Sequence, residues 1–230
     1  MTRTQEYEEA VSVLSYDYAI TIDGDVDDEC DLHGYTWRSG ASKIVILMDN
    51  YVLKTSFTYE QDEDEPYLDE EYTPNYNECP DYANMEYLLY QEAVARGIGY
   101  MFCKTEQCND KVYKQEKVDL TCEQYEYDEA DFDVEDYANA YCLSIFDGTA
   151  HQMEECLAAH ELTDLKKYVK CGAMPYILAE WNKEELHKLL DFCRDYDIND
   201  IHNNNIGWLN GELKIFDFCG FNSNTQNLLN

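Results

Sequence analysis

At 230 residues the chain is long enough for one domain of two lobes or for two small domains, and its 45% hydrophobic and 14% aromatic content is ample for a packed core, which excludes wholesale disorder. Sixteen basic side chains against forty-nine acidic ones give a formal charge of −33, which excludes plain binding to nucleic-acid backbones or to anionic membrane surfaces. No apolar run reaches the roughly 18 residues of a membrane span, and no apolar stretch follows Arg3, so neither a spanning segment nor a secretory signal is expected; the ten cysteines are then expected as thiols in a reducing cytoplasm.

Residues 4–14 read as a short acidic helix and 16–22 as a strand, followed by an acidic, turn-rich segment over 23–31. Two β-rich runs, 44–48 and 51–57, are separated by Asp49-Asn50, which predicts a tight hairpin. Residues 60–80 are polar, acidic and proline-bearing and read as a loop. Helical spacing appears at 82–96, with Met85, Leu88, Leu89 and Ala93 on one face and Gly97 as the C-terminal cap. Residues 98–102 lead into a strand over 111–118, and 123–138 read as an acidic loop or poorly packed helix. Helices are predicted over 149–160 and 162–171, the second closed by Gly172. The clearest helix is 183–196: Asn182 caps it, Glu185 completes a capping box, and Leu186, Leu189, Leu190 and Cys193 form its apolar stripe. Runs 206–209 and 213–218 flank Asn210-Gly211, the strongest short hairpin signal in the chain. A β-rich first half with one helix and a helical second half with a terminal hairpin make the expected class α+β.

The charge is patterned. No Lys or Arg lies between Arg3 and Arg38, between Lys54 and Arg96, or between Lys117 and Lys166, and the gaps hold two dense acidic tracts, 60–71 and 123–136. These read either as solvated loops or as a surface that offers carboxylates, interleaved with Tyr59, Tyr67, Tyr72, Tyr125, Tyr127 and Tyr137, to a protein partner with a basic surface.

One constellation carries chemistry. Asp200-Ile201-His202-Asn203-Asn204-Asn205 sits between the capped helix and the terminal hairpin, whose second strand reads Lys214-Ile215-Phe216-Asp217-Phe218. A hairpin brings its two ends together, so Asn205 and Asp217 are expected side by side. A carboxylate with an amide oxygen suits a Mg²⁺ ion that also takes phosphate oxygens. Asp200, on the loop entering the hairpin, can orient or deprotonate a hydroxyl. His202 reads as a residue bridging the loop, and Asn203 and Asn204 as a polar turn. Cys103, Cys108 and Cys122 lack the Cys-x-x-Cys pairing of a zinc clip, and no Gly-x-Ser-x-Gly or His-Glu-x-x-His supports a hydrolase.

Asp-x-His-x-x-Asn followed by Ile-Phe-Asp-Phe resembles the catalytic loop and metal-binding aspartate of protein-kinase-like and aminoglycoside-kinase-like phosphotransferases, in the gap from Asp200 to Asn205 and in that from Asn205 to Asp217. Tyr51-Val52-Leu53-Lys54 resembles the strand that carries the family's phosphate-binding lysine, and Glu86 resembles that lysine's ion-pair partner, with Glu92 as its competitor. Gly40-Ala41-Ser42-Lys43 resembles a much-shortened glycine-rich loop, and Gln115-Glu116-Lys117-Val118 falls where the hinge strand would be. More narrowly, Glu92-Ala93-Val94-Ala95-Arg96-Gly97, Lys104-Thr105-Glu106 and Asn199-Asp200-Ile201-His202 are similar to stretches of small kinase-like proteins of bacteriophages and their hosts.

The resemblance implies a two-lobed minimal protein-kinase-like fold. Residues 1–117 would form a β-rich N-lobe with an acidic N-terminal extension, and 118–230 a reduced helical C-lobe carrying the hairpin. It implies ATP and Mg²⁺ as cofactors, with Lys54, Glu86 and Asp200 catalytic, Gly40, Ser42, Lys43, Lys54 and Glu116 around the nucleotide, and Asn205 and Asp217 on the metal. The chain departs from the family's pattern in having no Gly-x-Gly-x-x-Gly, which reduces phosphate cradling by backbone amides. With ten residues after Gly220, no peptide-docking helices are expected, and the acceptor stays open between a host or phage protein and a small molecule. The charge keeps a second function open: a catalytically inactive phage counter-defence protein, working in the host cytoplasm, that imitates nucleic acid and inhibits a host nuclease, restriction enzyme or CRISPR effector.

Overall fold

Thr2 and Gln5 start the first helix. The Gln5 N–H donates to the Thr2 hydroxyl and the Thr2 N–H donates to the Gln5 side chain, which satisfies two amides that a helix start leaves unpaired. This helix, α1 (Arg3–Leu14), buries Ala10, Val13 and Leu14. The computed structural model describes residues 2–15, 30–40, 42–56, 81–120, 145–146, 157–159, 161–168, 173–198 and 200–218; the strand expected at 16–22, both acidic tracts and most of the helix expected over 149–160 lie outside them. The chain divides into two compact units, Met1–Tyr87 with Thr105–Lys117, and Leu88–Lys104 with Val118–Asn230. Leu88–Lys104 thus belongs with the second unit, not with the residues around it in sequence.

The first unit is built on an antiparallel sheet of β1 (Trp37–Ser39), β2 (Lys43–Leu47), β3 (Tyr51–Ser56), β4 (Thr105–Gln107) and β5 (Tyr113–Glu116), in the order β1-β2-β3-β5-β4. The Met48 N–H donates to the Tyr51 carbonyl at 3.0 Å and closes the turn at Asp49-Asn50, which sets Leu47 opposite Val52 and Val45 opposite Lys54. Because side chains alternate along a strand, this register sorts the sheet into two faces. Ile44, Ile46 and Leu53 point to one face and form a core with Ala10, Val13 and Leu14 of α1 and with Cys30, Met48 and Val112. Full burial of Val13 and Leu14 contributes roughly 1.5–3 kcal/mol each. Lys43, Lys54, Tyr113 and Gln115 occupy the other face, where helix α2 (Tyr82–Ala95) begins. β4 is an element the sequence reading missed, and the strand expected from residue 111 starts at Tyr113, because the Asn109 carboxamide accepts from the N–H groups of Lys111 and Val112 and holds them in a turn.

The second unit takes up the chain within α2. That helix ends as its sequence predicts: Gly97 adopts φ +76°, its N–H donates to the Val94 carbonyl and the Ile98 N–H to the Ala93 carbonyl, a Schellman closure. Leu88, expected in the buried stripe, is half-buried, while Met85, Leu89 and Ala93 are buried. A 3₁₀ turn (Gly99–Met101) follows, and then β6 (Asp119–Leu120), β7 (Ile145–Phe146), α3 (Leu162–Tyr168), α4 (Met174–Glu180), α5 (Lys183–Asp195), β8 (Asp200–Ile201), β9 (Ile206–Leu209) and β10 (Glu212–Ile215). Helix α4, with Pro175 in its first turn, was not anticipated. Helix α5 starts at the predicted capping box of Asn182 and Glu185 and buries Leu186, Leu189, Leu190, Phe192 and Cys193. Phe102, Phe192 and Phe218 pack together, with ring centroids 5.5 Å and 4.7 Å apart, in the core beneath the hairpin. Arg96, just past α2, binds Asp195 at 2.7 Å and lies 4.9 Å from the Tyr196 ring, which ties the ends of α2 and α5.

The fold is thus mixed α and β, and among the described residues the strands form three sheets with antiparallel pairing. Among the described residues no helix is long and apolar enough to cross a membrane.

Candidate functional site

Lys54 stands on β3, on the face away from α1, next to the start of α2. That start is tied to the strand: Ser56, the last residue of β3, donates to the Asp81 carboxylate at 2.5 Å and accepts from the Ala83 N–H at 2.8 Å, while Asp81 also accepts from the Asn84 N–H. Tyr113 of β5 donates to the Asn84 carboxamide at 3.0 Å. With its first turn anchored twice to the sheet, α2 points Glu86 at Lys54. Lys54 Nζ lies 2.8 Å from Glu86 Oε2, and Lys43 Nζ, from β2, lies 3.3 Å from the same oxygen. Gln115 Nε2 donates to Glu86 Oε1 at 2.7 Å and to Thr105 Oγ1 at 2.9 Å, which prevents the carboxylate from turning.

Glu86 has no exposed surface, and Lys54 is 3% exposed. Burial alone would raise the Glu86 pKa; the charges of Lys54 and Lys43, with hydrogen bonds from Lys54 and Gln115, outweigh it and hold the carboxyl well below its ordinary value of 4.5. Among the described residues Glu86 is the one hydrogen-bond acceptor of Lys54. An ammonium carries three donors, so with respect to the described residues two remain for an incoming anion.

The second set of residues surrounds the terminal hairpin. Asn210 and Gly211 take φ +54° and +87°, the left-handed pair that a two-residue hairpin of this twist requires. Their turn sets Ile206 opposite Ile215 and brings the flanks together. Asn205 Nδ2 donates to the Asp217 carbonyl at 2.8 Å and to the Asp200 carbonyl at 2.9 Å, and the Phe216 N–H donates to the Asn205 carbonyl at 2.9 Å. Both amide hydrogens of Asn205 are used, which leaves Oδ1 as the atom able to take a cation. Asp217 sits at φ +50°, a left-handed conformation that aspartate tolerates better than most residues. This is why β10 stops at Ile215 and does not run to residue 218 as expected: the chain turns out of the sheet to present Asp217. Asp200 is not on a loop but in β8, paired with Phe146 of β7. His202 Nδ1 accepts from the Asn204 N–H at 3.2 Å, which places the proton on Nε2, 3.4 Å from Asp200 Oδ1. The imidazole bridges the loop, as its sequence position suggested.

The structure therefore brings Lys54 together with Glu86 and Lys43 in the first unit, and Asn205 together with Asp200 and Asp217 in the second. Gly40 closes the turn between β1 and β2, its N–H donating to the Lys43 carbonyl at 3.0 Å, and Ser42 is half-buried in the same turn. Glu116 ends β5 opposite Tyr51, and alternation puts its side chain on the sheet face opposite to that of Lys54. Glu92, the competitor for the lysine, instead accepts from the Tyr196 hydroxyl at 3.0 Å. Among the described residues no group of three or more His, Cys, Asp or Glu side chains converges to hold a metal ion. Asp217, through its carboxylate, and Asn205, through its amide oxygen, are the residues of this loop that could hold a cation such as Mg²⁺.

Compared with protein-family models, with curated proteins and with solved structures, the chain matches none.

Sequence reasoning missed Gln115 and Thr105 as supports of Glu86, and it placed Lys43 near phosphate without seeing its bond to Glu86. The signal for Lys43 was present. Once Asp49-Asn50 is the turn, the hairpin register puts residues 43, 45 and 47 on the face of 52, 54 and 56. No comparable local signal marks Gln115, whose neighbour across the sheet, Thr105, belongs to the strand that was missed.

Proposed function

We propose that this protein is an ATP- and Mg²⁺-dependent phosphotransferase of the protein-kinase-like type, acting on a host or phage protein or on a small molecule in the cytoplasm. The observation that carries the reading is the buried 2.8 Å pair of Lys54, on the third strand of its sheet, with Glu86, on the helix that follows. A lysine on that strand paired to a glutamate of the next helix is the phosphate-holding arrangement of protein kinases. The terminal hairpin adds support, because Asn205, locked by two hydrogen bonds, keeps an oxygen available beside an aspartate turned out of its strand.

In this reading Lys54 donates to phosphate oxygens, and Glu86 holds the lysine extended. Asp217 and Asn205 hold Mg²⁺, which when bound neutralises phosphate charge. Asp200, a third exposed and oriented by His202, accepts the proton of the acceptor hydroxyl. The locally cationic lysine pair also answers an electrostatic objection, that a chain of charge −33 should repel ATP.

The test is a thermal-shift titration with Mg-ATP on the wild-type protein and on Asp217→Asn. Asparagine also tolerates the left-handed backbone at this position, so the variant keeps the fold while losing the charge that binds the metal. Saturable stabilisation of the wild type that needs Mg²⁺ and disappears in Asp217→Asn is expected. Equal stabilisation of both proteins, or none of the wild type, would sink the reading.

The −33 charge favours a second reading, a non-catalytic inhibitor that plugs the basic groove of a nuclease or CRISPR effector. It separates from the first by its steep loss of partner binding with added salt and by its indifference to Asp217→Asn.

A further inference from the structure

We propose that Lys43 and Lys54 are interchangeable phosphate-binding groups of one site: either can turn to a nucleotide's phosphate while the other keeps the buried Glu86 carboxylate neutralised. This rests on the phosphotransferase reading. It adds to that reading the geometry of the pair, two ammonium groups from adjacent strands on the same carboxylate oxygen, at 2.8 Å and 3.3 Å.

Lys43 and Lys54 are diagonal neighbours on one face of the β2–β3 ladder, since Lys43 pairs with Ser56 and Val45 with Lys54. Diagonal positions on a sheet lie about 7–8 Å apart at the backbone, within reach of two long side chains. Both are buried, and the anion they share has no exposed surface at all. A wholly buried carboxylate cannot be left without a counter-charge except at large cost, so a single lysine could reach phosphate only while still bonded to Glu86. A second lysine on the same oxygen removes that obstacle. Gln115 holds Oε1, so Oε2 stays aimed at the two ammoniums whichever of them moves. Thus Glu86 serves as a shared anchor, and the chain has two donors where one would suffice.

The experiment measures the Mg-ATP dissociation constant calorimetrically for wild type, K43M, K54M and K43M/K54M, with a thermal melt of each to check folding. Each single variant is expected to weaken binding by about tenfold or less, because the remaining lysine bridges Glu86 and phosphate; the double variant should weaken it by more than about 100-fold. The double variant strands a buried carboxylate, so K43M/K54M/E86Q, which removes all three charges, is measured beside it and should also fail to bind. Loss of binding in K54M with an unchanged K43M would overturn the inference and make Lys43 a structural residue, while the phosphotransferase reading stood. Wild-type affinity in the triple variant would overturn it too. No binding by the wild-type protein would overturn both.

Discussion

Glu86 is one acid shared by two bases, and that imbalance fixes how its variants rank. Glu86→Gln removes the carboxylate and leaves Lys43 and Lys54 buried side by side without the anion they both contact. Breaking a buried ion pair from one side costs about 3–5 kcal/mol. Lys54→Met is milder. Glu86 then keeps Lys43 at 3.3 Å and Gln115 at 2.7 Å, so one charge-assisted hydrogen bond is lost, about 1.5–3 kcal/mol, and methionine fills much of the volume. Urea unfolding at neutral pH should therefore order the proteins wild type, Lys54→Met, Glu86→Gln, with unchanged slopes. At about 2–4 °C per kcal/mol for a chain of this size, Glu86→Gln melts roughly 6–20 °C below wild type. The double variant should cost less than the two singles together, since removing Lys54 relieves part of the repulsion that Glu86→Gln exposes. If Glu86→Gln proved no more destabilising than Lys54→Met, the shared carboxylate would not be the anchor of this face, and the argument for the lysine pair would fall with it.

Acid should act through the same residue. Its folded pKa lies below the ordinary 4.5, so its contribution is fully present above that value and is lost as pH falls below it, where the unfolded chain takes up a proton that the folded one refuses. Urea melts between pH 6 and pH 3 should show wild type converging on Glu86→Gln; a constant gap would refute the shift. Asn205→Asp keeps an oxygen for a cation but removes both donors to the carbonyls of Asp200 and Asp217, and should destabilise by about 2–3 kcal/mol in the same assay, whereas a silent variant would show that this staple does not hold the loop. Gly207→Ala would put a methyl 2.5 Å from Val118 Cγ2 and 2.8 Å from the Asp119 carbonyl oxygen, so it should force β6 off β9 at a cost of about 1–3 kcal/mol, read as faster amide exchange in both strands. Asn182→Ala removes the cap of α5 and should cost about 1 kcal/mol in a thermal melt.

What the chain declares locally, it declares through neighbours in sequence. The capping box at Asn182 and Glu185, the stop at Gly97 and the left-handed turn at Asn210-Gly211 depend on backbone groups within a few residues of the signal, so they are legible without any tertiary contact. The same holds for the meeting of Asn205 with Asp217, because a two-residue hairpin leaves its flanks no other place to go. Lys54 and Glu86 were nominated by resemblance, in one chain order with one spacing. Only the tertiary structure decided that the lysine is buried against that glutamate, that Lys43 shares the same oxygen, and that Gln115 and Thr105 hold the other side in place. It also decided that β10 ends two residues before Asp217. The physical reason is range. A cap or a turn is settled by groups already adjacent along the chain, whereas a buried charge is settled by which strands pair and in what register. Among the described residues β4, with three residues, lies at the end of the β1-β2-β3-β5-β4 order, and a strand that short takes its register from the packing of the whole unit.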